Sequence, residues 1–166
     1  YAMENGLSAL AMRLGHIVQD SQGRYYDSAL FPVAHWAQFG EADNVDNALI
    51  HAIMRQESRF DVAAKSHAGA RGLMQLMPET ARMVAAAHNI PKNSTHALFD
   101  PELNVRLGQR YVSDLLDNPL VRRDMVSLLI AYNAGPGNLL KWRQRWPDVK
   151  DPLLFLELIP LRETRG

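Results

Sequence analysis

The 166-residue chain has no cysteine, which excludes disulfides, a zinc–thiolate site and a cysteine nucleophile. It has no surplus of charge: eighteen Lys and Arg balance eighteen Asp and Glu. No run of Lys and Arg offers a phosphate-binding stripe, so nothing points to nucleic acid. No run of about 18 or more apolar residues is present, so no segment reads as a membrane span. The chain opens on Tyr1 with no basic stretch followed by an apolar one, and reads as a processed protein or an excised fragment. Internal repeats, low-complexity tracts and strand-like alternation are also missing. The six histidines show no metal-ligand spacing; His51, His67, His88 and His96 do not form an HExxH pattern, and no metal or cofactor is assigned. Ser58 and Ser66 lack the GxSxG pattern of a serine hydrolase.

What is present is globular: 47% apolar and 22% charged residues. A chain of this length can bury roughly 70% of the surface its unfolded form exposes. The periodicity is helical. Leu7, Leu10, Ala11, Leu14, Ile17 and Val18 recur at period 3.6 over 2–19, until Asp20-Ser21-Gln22-Gly23 breaks the pattern. Tyr25 to Trp36 is aromatic-rich and reads as a short helix and a linker. Val45, Leu49, Ala52, Ile53 and Gln56 share one face of a helix ending near Glu57 or Ser58. Pro78-Glu79 opens a helix over about 78–88. Asp100-Pro101-Glu102 opens a longer one through Leu103, Leu107, Tyr111 and Leu115. A helix over about 122–133 is terminated by Gly135-Pro136-Gly137, and two short helices follow over 138–146 and 152–159. The expectation is an all-α domain, in one piece from about residue 40. The first 30 or so residues read as part of another helical module.

Glu57 is the first candidate for chemistry. It stands one turn after Ile53, on the flank of the apolar stripe and in the last turn of its helix. Helix carbonyls there disfavour an anion, and so does partial burial. Both raise the carboxyl pKa; a move from about 4.3 to about 6.5 needs roughly 3 kcal/mol of destabilisation of the charged form. The alternative is a solvated glutamate at a helix end. The following loop holds Ser66, Gly69 and Gly72, then Leu73-Met74-Gln75-Leu76-Met77. Its glycines suit a tight turn or a close approach to a ligand. Gln75 places an amide among apolar neighbours, although a plain loop followed by core methionines explains the pattern too. In Ala131-Tyr132-Asn133-Ala134-Gly135, Gly135 supplies a left-handed C-terminal residue and Asn133 helps to cap, or else Tyr132 and Asn133 point into a cleft. Glu157 and Glu163 near the C-terminus carry little signal alone.

Four blocks in order carry more than their parts: Ile53-Met54-Arg55-Gln56-Glu57-Ser58-Arg59-Phe60, Gly69 to Pro78, Ala131 to Gly137, and Ile159 to Arg165. Together they closely resemble the catalytic domain of the soluble lytic transglycosylases of Gram-negative bacteria, family 1. The resemblance covers residues 45–166 well and the Phe31-Pro32 region more weakly. It implies an all-α, lysozyme-like catalytic domain over 31–166, cut short at its C-terminus. Residues 1–30 would be the tail of a preceding helical superhelix. By the resemblance Glu57 is the catalytic acid, Ser66 the serine near it, and Gln75 and Met77 line the sugar pocket. Tyr132 and Asn133 border the cleft, and Glu163 is the C-terminal acid of the pocket.

Most glycosidases use two carboxylates, but only one acid is placed in these blocks. The resemblance implies that Glu57 protonates the β-1,4 oxygen between N-acetylmuramic acid and N-acetylglucosamine. The sugar's own N-acetyl group then assists, and its C6 hydroxyl closes a 1,6-anhydro ring. The implied partners are peptidoglycan strands and, around them, other cell-wall enzymes; the implied location is the periplasm. No cofactor, nucleic acid or oligomer is indicated. A goose-type lysozyme hydrolysing the same bond, or a non-catalytic glycan-binding module, are the alternatives.

Overall fold

The structure, a computed structural model, describes residues 7–24, 26–31, 45–91 and 95–160. Eight α-helices lie among these residues: α1 Ser8–Gln22, α2 Asp27–Leu30, α3 Asn47–Ser58, α4 Pro78–Ala87, α5 Pro101–Asp117, α6 Met125–Ala134, α7 Pro136–Arg145 and α8 Pro152–Leu158. A short 3₁₀ turn, Thr95–Phe99, precedes α5. Extended pairing among the described residues is limited to isolated antiparallel bridges, Lys65 with Arg71 and Arg71 with Leu76. No described helix is long and apolar enough to cross a membrane. The expected all-α class is what forms.

Two compact units divide the chain, Tyr1–Arg110 and Tyr111–Gly166, with the boundary inside α5. In the first, Ile50, Met54, Leu73, Met74, Val84 and Val105 are almost wholly buried. Helix α1 packs on α2. Its buried edge carries Met12 among small residues, Ser8, Ala11 and Gly15. A Cβ on Gly15 would already stand 3.0 Å from the Ala29 methyl. The larger Leu7, Leu10, Leu14 and Ile17 of the expected stripe are therefore exposed, between 44% and 62%. In the second unit α6 packs on α7 and α8, and Leu128, Ile130, Leu139, Phe155 and Ile159 are fully buried.

Helix ends follow side-chain chemistry. Asp46 caps α3 by accepting the Ala48 N–H at 2.8 Å. Asp100 caps α5 through the Leu103 N–H, and Asp151 caps α8 through Leu153 and Leu154, with Pro101 and Pro152 as first helical residues. Three expectations shift. Helix α1 continues through Gln22, because Asp20 to Gln22 are compatible with a helix and only Gly23, at φ 63°, stops it. Helix α6 starts at Met125 rather than near 122, since Arg122 and Arg123 take left-handed backbone angles and Asp124 is the cap. Pro136 and Gly137 do not end a helix but open α7; Gly135 alone separates it from α6. Its φ of 85° and ψ of 148° also lie outside the left-handed helical region expected of it.

Candidate active site

Glu57 stands in the last turn of α3, as its spacing predicts. The amphipathic pattern buries Ile50, Ile53 and Met54, and this sets Glu57 half-buried at the edge of that face. Burial raises its carboxyl pKa above the usual glutamate value. The helix then stops abruptly. Ser58 is buried and folds its hydroxyl back to donate to the Met54 carbonyl at 3.1 Å. Arg59 and Phe60 follow with φ of 51° and 62°, both left-handed and neither a glycine. Such residues cost about 1–2 kcal/mol each and persist only where their surroundings hold them. Phe60 is held because its ring is buried. The turn continues through Asp61, whose carboxylate accepts the Ala63 N–H at 2.9 Å.

The loop after this turn is held by its own hydrogen bonds. Ser66 and Ala70 exchange backbone contacts, the Ser66 N–H donating to the Ala70 carbonyl at 3.0 Å. The Ser66 hydroxyl accepts the Ala70 N–H, also at 3.0 Å, which leaves its own proton to donate elsewhere. Gln75 has φ 45°, and its side-chain amide donates to the carbonyls of Ala64, at 3.1 Å, and Gly72, at 2.9 Å. Both N–H bonds of that amide are thereby used inside the loop, and Oε1 is what remains for a ligand. Gly72 is needed for the chain's own sake: at φ 75° a Cβ would fall 2.2 Å from the Leu98 carbonyl oxygen. Gly69, at φ 95°, has open space around it. Met77 is 40% exposed immediately before α4.

The sequence-predicted residues of the first unit thus sit at the end of α3 and on the loop that continues from it. In the second unit, Tyr132 and Asn133 occupy the last turn of α6, half-buried and exposed respectively. The Tyr132 ring lies 5.5 Å from that of Tyr111, tilted by 45°. Burial first, and the Asp114 charge second, raise the Tyr111 hydroxyl pKa, so it stays protonated. The α6 terminus is closed by Asn138, whose amide donates to the Ala134 carbonyl at 2.8 Å. Glu163 lies outside the described residues, and Glu157 is exposed.

Sequence reasoning passed over Ser8, Asn104, Gln109 and Ser127, all buried, and of these Asn104 bonds to the loop. Asn104 on α5 is wholly buried and makes three hydrogen bonds, to the carbonyls of Arg71 and Leu98 and from the Met74 N–H. An asparagine in the first turns of a helix looks unremarked in a sequence; the signal available was its fourth place after the Asp100 cap, on the face of Leu107.

The class that these observations define is an all-helical domain with a half-buried acid at the end of one helix and, following it in the chain, a loop held by its own hydrogen bonds. Residues 34–154 match the family described as the transglycosylase SLT domain, and the chain belongs to that family. It is 34% identical over 140 residues to the soluble lytic murein transglycosylase of Escherichia coli, covering 82% of this chain and 21% of that one. It is 40% identical over 108 residues to the membrane-bound lytic murein transglycosylase C of Klebsiella pneumoniae, covering 58% and 29%. The crystal structure of the 70 kDa soluble lytic transglycosylase of E. coli superposes with a TM-score of 0.80 at 30% identity, over 100% of this chain and 27% of that one. An inactive Glu-to-Gln mutant of the lytic transglycosylase Slt of Pseudomonas aeruginosa gives 0.78 at 34%, over 99% and 26%. The fold is therefore the lysozyme-like helical fold of these enzymes, and the chain spans about a fifth of the length of the first curated relatives it matches.

Proposed function

We propose that the chain is the catalytic part of a peptidoglycan lytic transglycosylase with Glu57 as its single acid and base. The observation that carries this reading is the half-buried Glu57 at the end of α3, whose carboxyl pKa is raised by burial. Glu57 donates that proton to the glycosidic oxygen between N-acetylmuramic acid and N-acetylglucosamine, and the bond from C1 to that oxygen breaks. The muramyl N-acetyl carbonyl shields C1 in the meantime. The C6 hydroxyl of the same sugar then attacks C1, and its proton returns to Glu57. One bond breaks, one forms, and no water is consumed. Holding the C6 hydroxyl nearer to C1 than any water is the condition for this outcome.

Ser66, Gln75 and Met77 are proposed as sugar contacts of the first unit. The free Ser66 proton suits a carbonyl or ring oxygen, and Gln75 Oε1 suits a sugar hydroxyl or amide N–H. Tyr132, Asn133 and Glu163 are proposed as sugar contacts on their sequence blocks alone. Assignment of residues 1–30 to a preceding helical module belongs to the same proposal, as does a periplasmic location, where such a substrate lies. Support comes from the relatives, which are named lytic murein transglycosylases, and from the Pseudomonas enzyme, which a single Glu-to-Gln exchange leaves inactive.

The test is Glu57→Gln assayed on purified peptidoglycan. Loss of cleavage by about a thousandfold is expected, with an unchanged circular dichroism spectrum. A fully active variant would refute the assignment.

A further inference from the structure

We infer that Asn104 is a positioning residue for the sugar-binding loop and acts through Gln75; the inference rests on the role proposed above for that loop. Asn104 is 0% exposed, so it meets no substrate itself. Its Nδ2 donates to the Arg71 carbonyl and to the Leu98 carbonyl, each at 2.9 Å. Its Oδ1 accepts the Met74 N–H at 2.8 Å. One side chain therefore grips both ends of the stretch Arg71 to Met74 and ties it to the turn before α5.

Gln75 hangs from that stretch. Its backbone N–H donates to the Gly72 carbonyl at 3.1 Å, and its side-chain amide donates to the same carbonyl at 2.9 Å. A left-handed backbone at a non-glycine residue needs such external support. One turn further along α5, Gly108 leaves bare backbone for the fully buried Met74; a Cβ there would collide with the Met74 sulfur. Asn104 and Gly108 lie four residues apart and so present one helix face to the loop. The grip is polar at one point and steric at the other. Releasing either frees the Gly72–Gln75 turn, whereas Glu57 stands on another helix, α3.

Asn104→Asp preserves shape and the acceptor for Met74, but sets an oxygen against two carbonyls. Cleavage kinetics of the 166-residue chain on peptidoglycan glycan fragments should show KM raised about tenfold, with kcat changed less than threefold. The alkaline limb of the kcat–pH profile, set by Glu57, should not move. Gln75→Ala should raise KM alone but add less than twofold on top of Asn104→Asp, because both act on one turn. A folded Asn104→Asp protein with KM within twofold of wild type would overturn the inference, as would effects that multiply in the double variant. Should Asn104→Asp not fold, Gly108→Ala puts the same question, since the three atoms nearest to the added methyl all belong to Met74. A threefold or greater rise in KM supports the inference, and an unchanged KM overturns it. Failure of the parent reading looks different: there Glu57→Gln keeps full turnover, or the wild-type chain cleaves no glycan.

Discussion

Burial decides what Glu57 can do. Its raised pKa means that the folded protein holds a proton which the unfolded chain, with an ordinary glutamate, has already lost. Two consequences follow, of opposite value to the protein. Cleavage needs the protonated acid, so kcat/KM should fall as pH rises through the raised value; a pH–rate profile on glycan fragments reads this directly. Stability also falls across the same window. The contribution is complete below the unfolded-state pKa and is lost as pH rises through the folded-state pKa. Glu57→Gln, neutral at every pH, should escape that loss. Thermal melts should show its Tm gaining on wild type between acid and neutral pH. The residue proposed as the acid is thus one the fold would hold more easily as an amide once pH passes the unfolded-state pKa. Much of this was legible beforehand, because spacing alone placed Glu57 on the flank of an apolar stripe and in a last turn. What spacing could not say was that the amide of Gln75 would be spent on Ala64 and Gly72. That depends on a left-handed backbone at a residue type that seldom adopts one.

At the scale of elements, the capping and loop residues carry the energetics. Asp46→Ala removes the cap of the helix that bears Glu57 and should cost about 1 kcal/mol in urea unfolding. The glycines of the loop should separate sharply. Gly72→Ala meets the Leu98 carbonyl and a left-handed φ, and should cost on the order of 3 kcal/mol. Gly69→Ala meets only the backbone strain and should cost about 1 kcal/mol. Capping chemistry is also why the helices were readable. Asp100-Pro101 and Asp151-Pro152 announce α5 and α8 in two letters each, and both helices start there. The starts that slipped lacked such a signature. Arg122 and Arg123 look like ordinary helix formers, and only their φ values of 50° and 57° reveal a turn. The outward turn of Leu10, Leu14 and Ile17 was hidden for a related reason. Periodicity finds the apolar face of a helix, but the small edge of Ala11 and Gly15 allows closer packing on α2.

For the whole molecule the decisive measurement is the mass of what it releases. A transglycosylase leaves 1,6-anhydro ends that are one water lighter than the reducing ends of a hydrolase. Muropeptides released by the chain should carry the lighter ends alone. Reducing ends would favour the goose-type lysozyme reading, and binding without release would favour a glycan-binding module. The all-helical frame was legible from composition and period. The division of the chain within α5 was not, because nothing in the run Gly108 to Val112 interrupts a helix.

The single residue between α6 and α7 has a bearing on how such a chain can vary. Gly135 is the last cap of one helix and the first of the next, so the corner contains no spare length. An added residue would have no loop to take it up, and α7 must keep its place for Leu139 and Trp142 to stay buried. Surface loops accept insertions and exchanges readily, but this corner rests on one residue whose φ of 85° and ψ of 148° suit glycine alone.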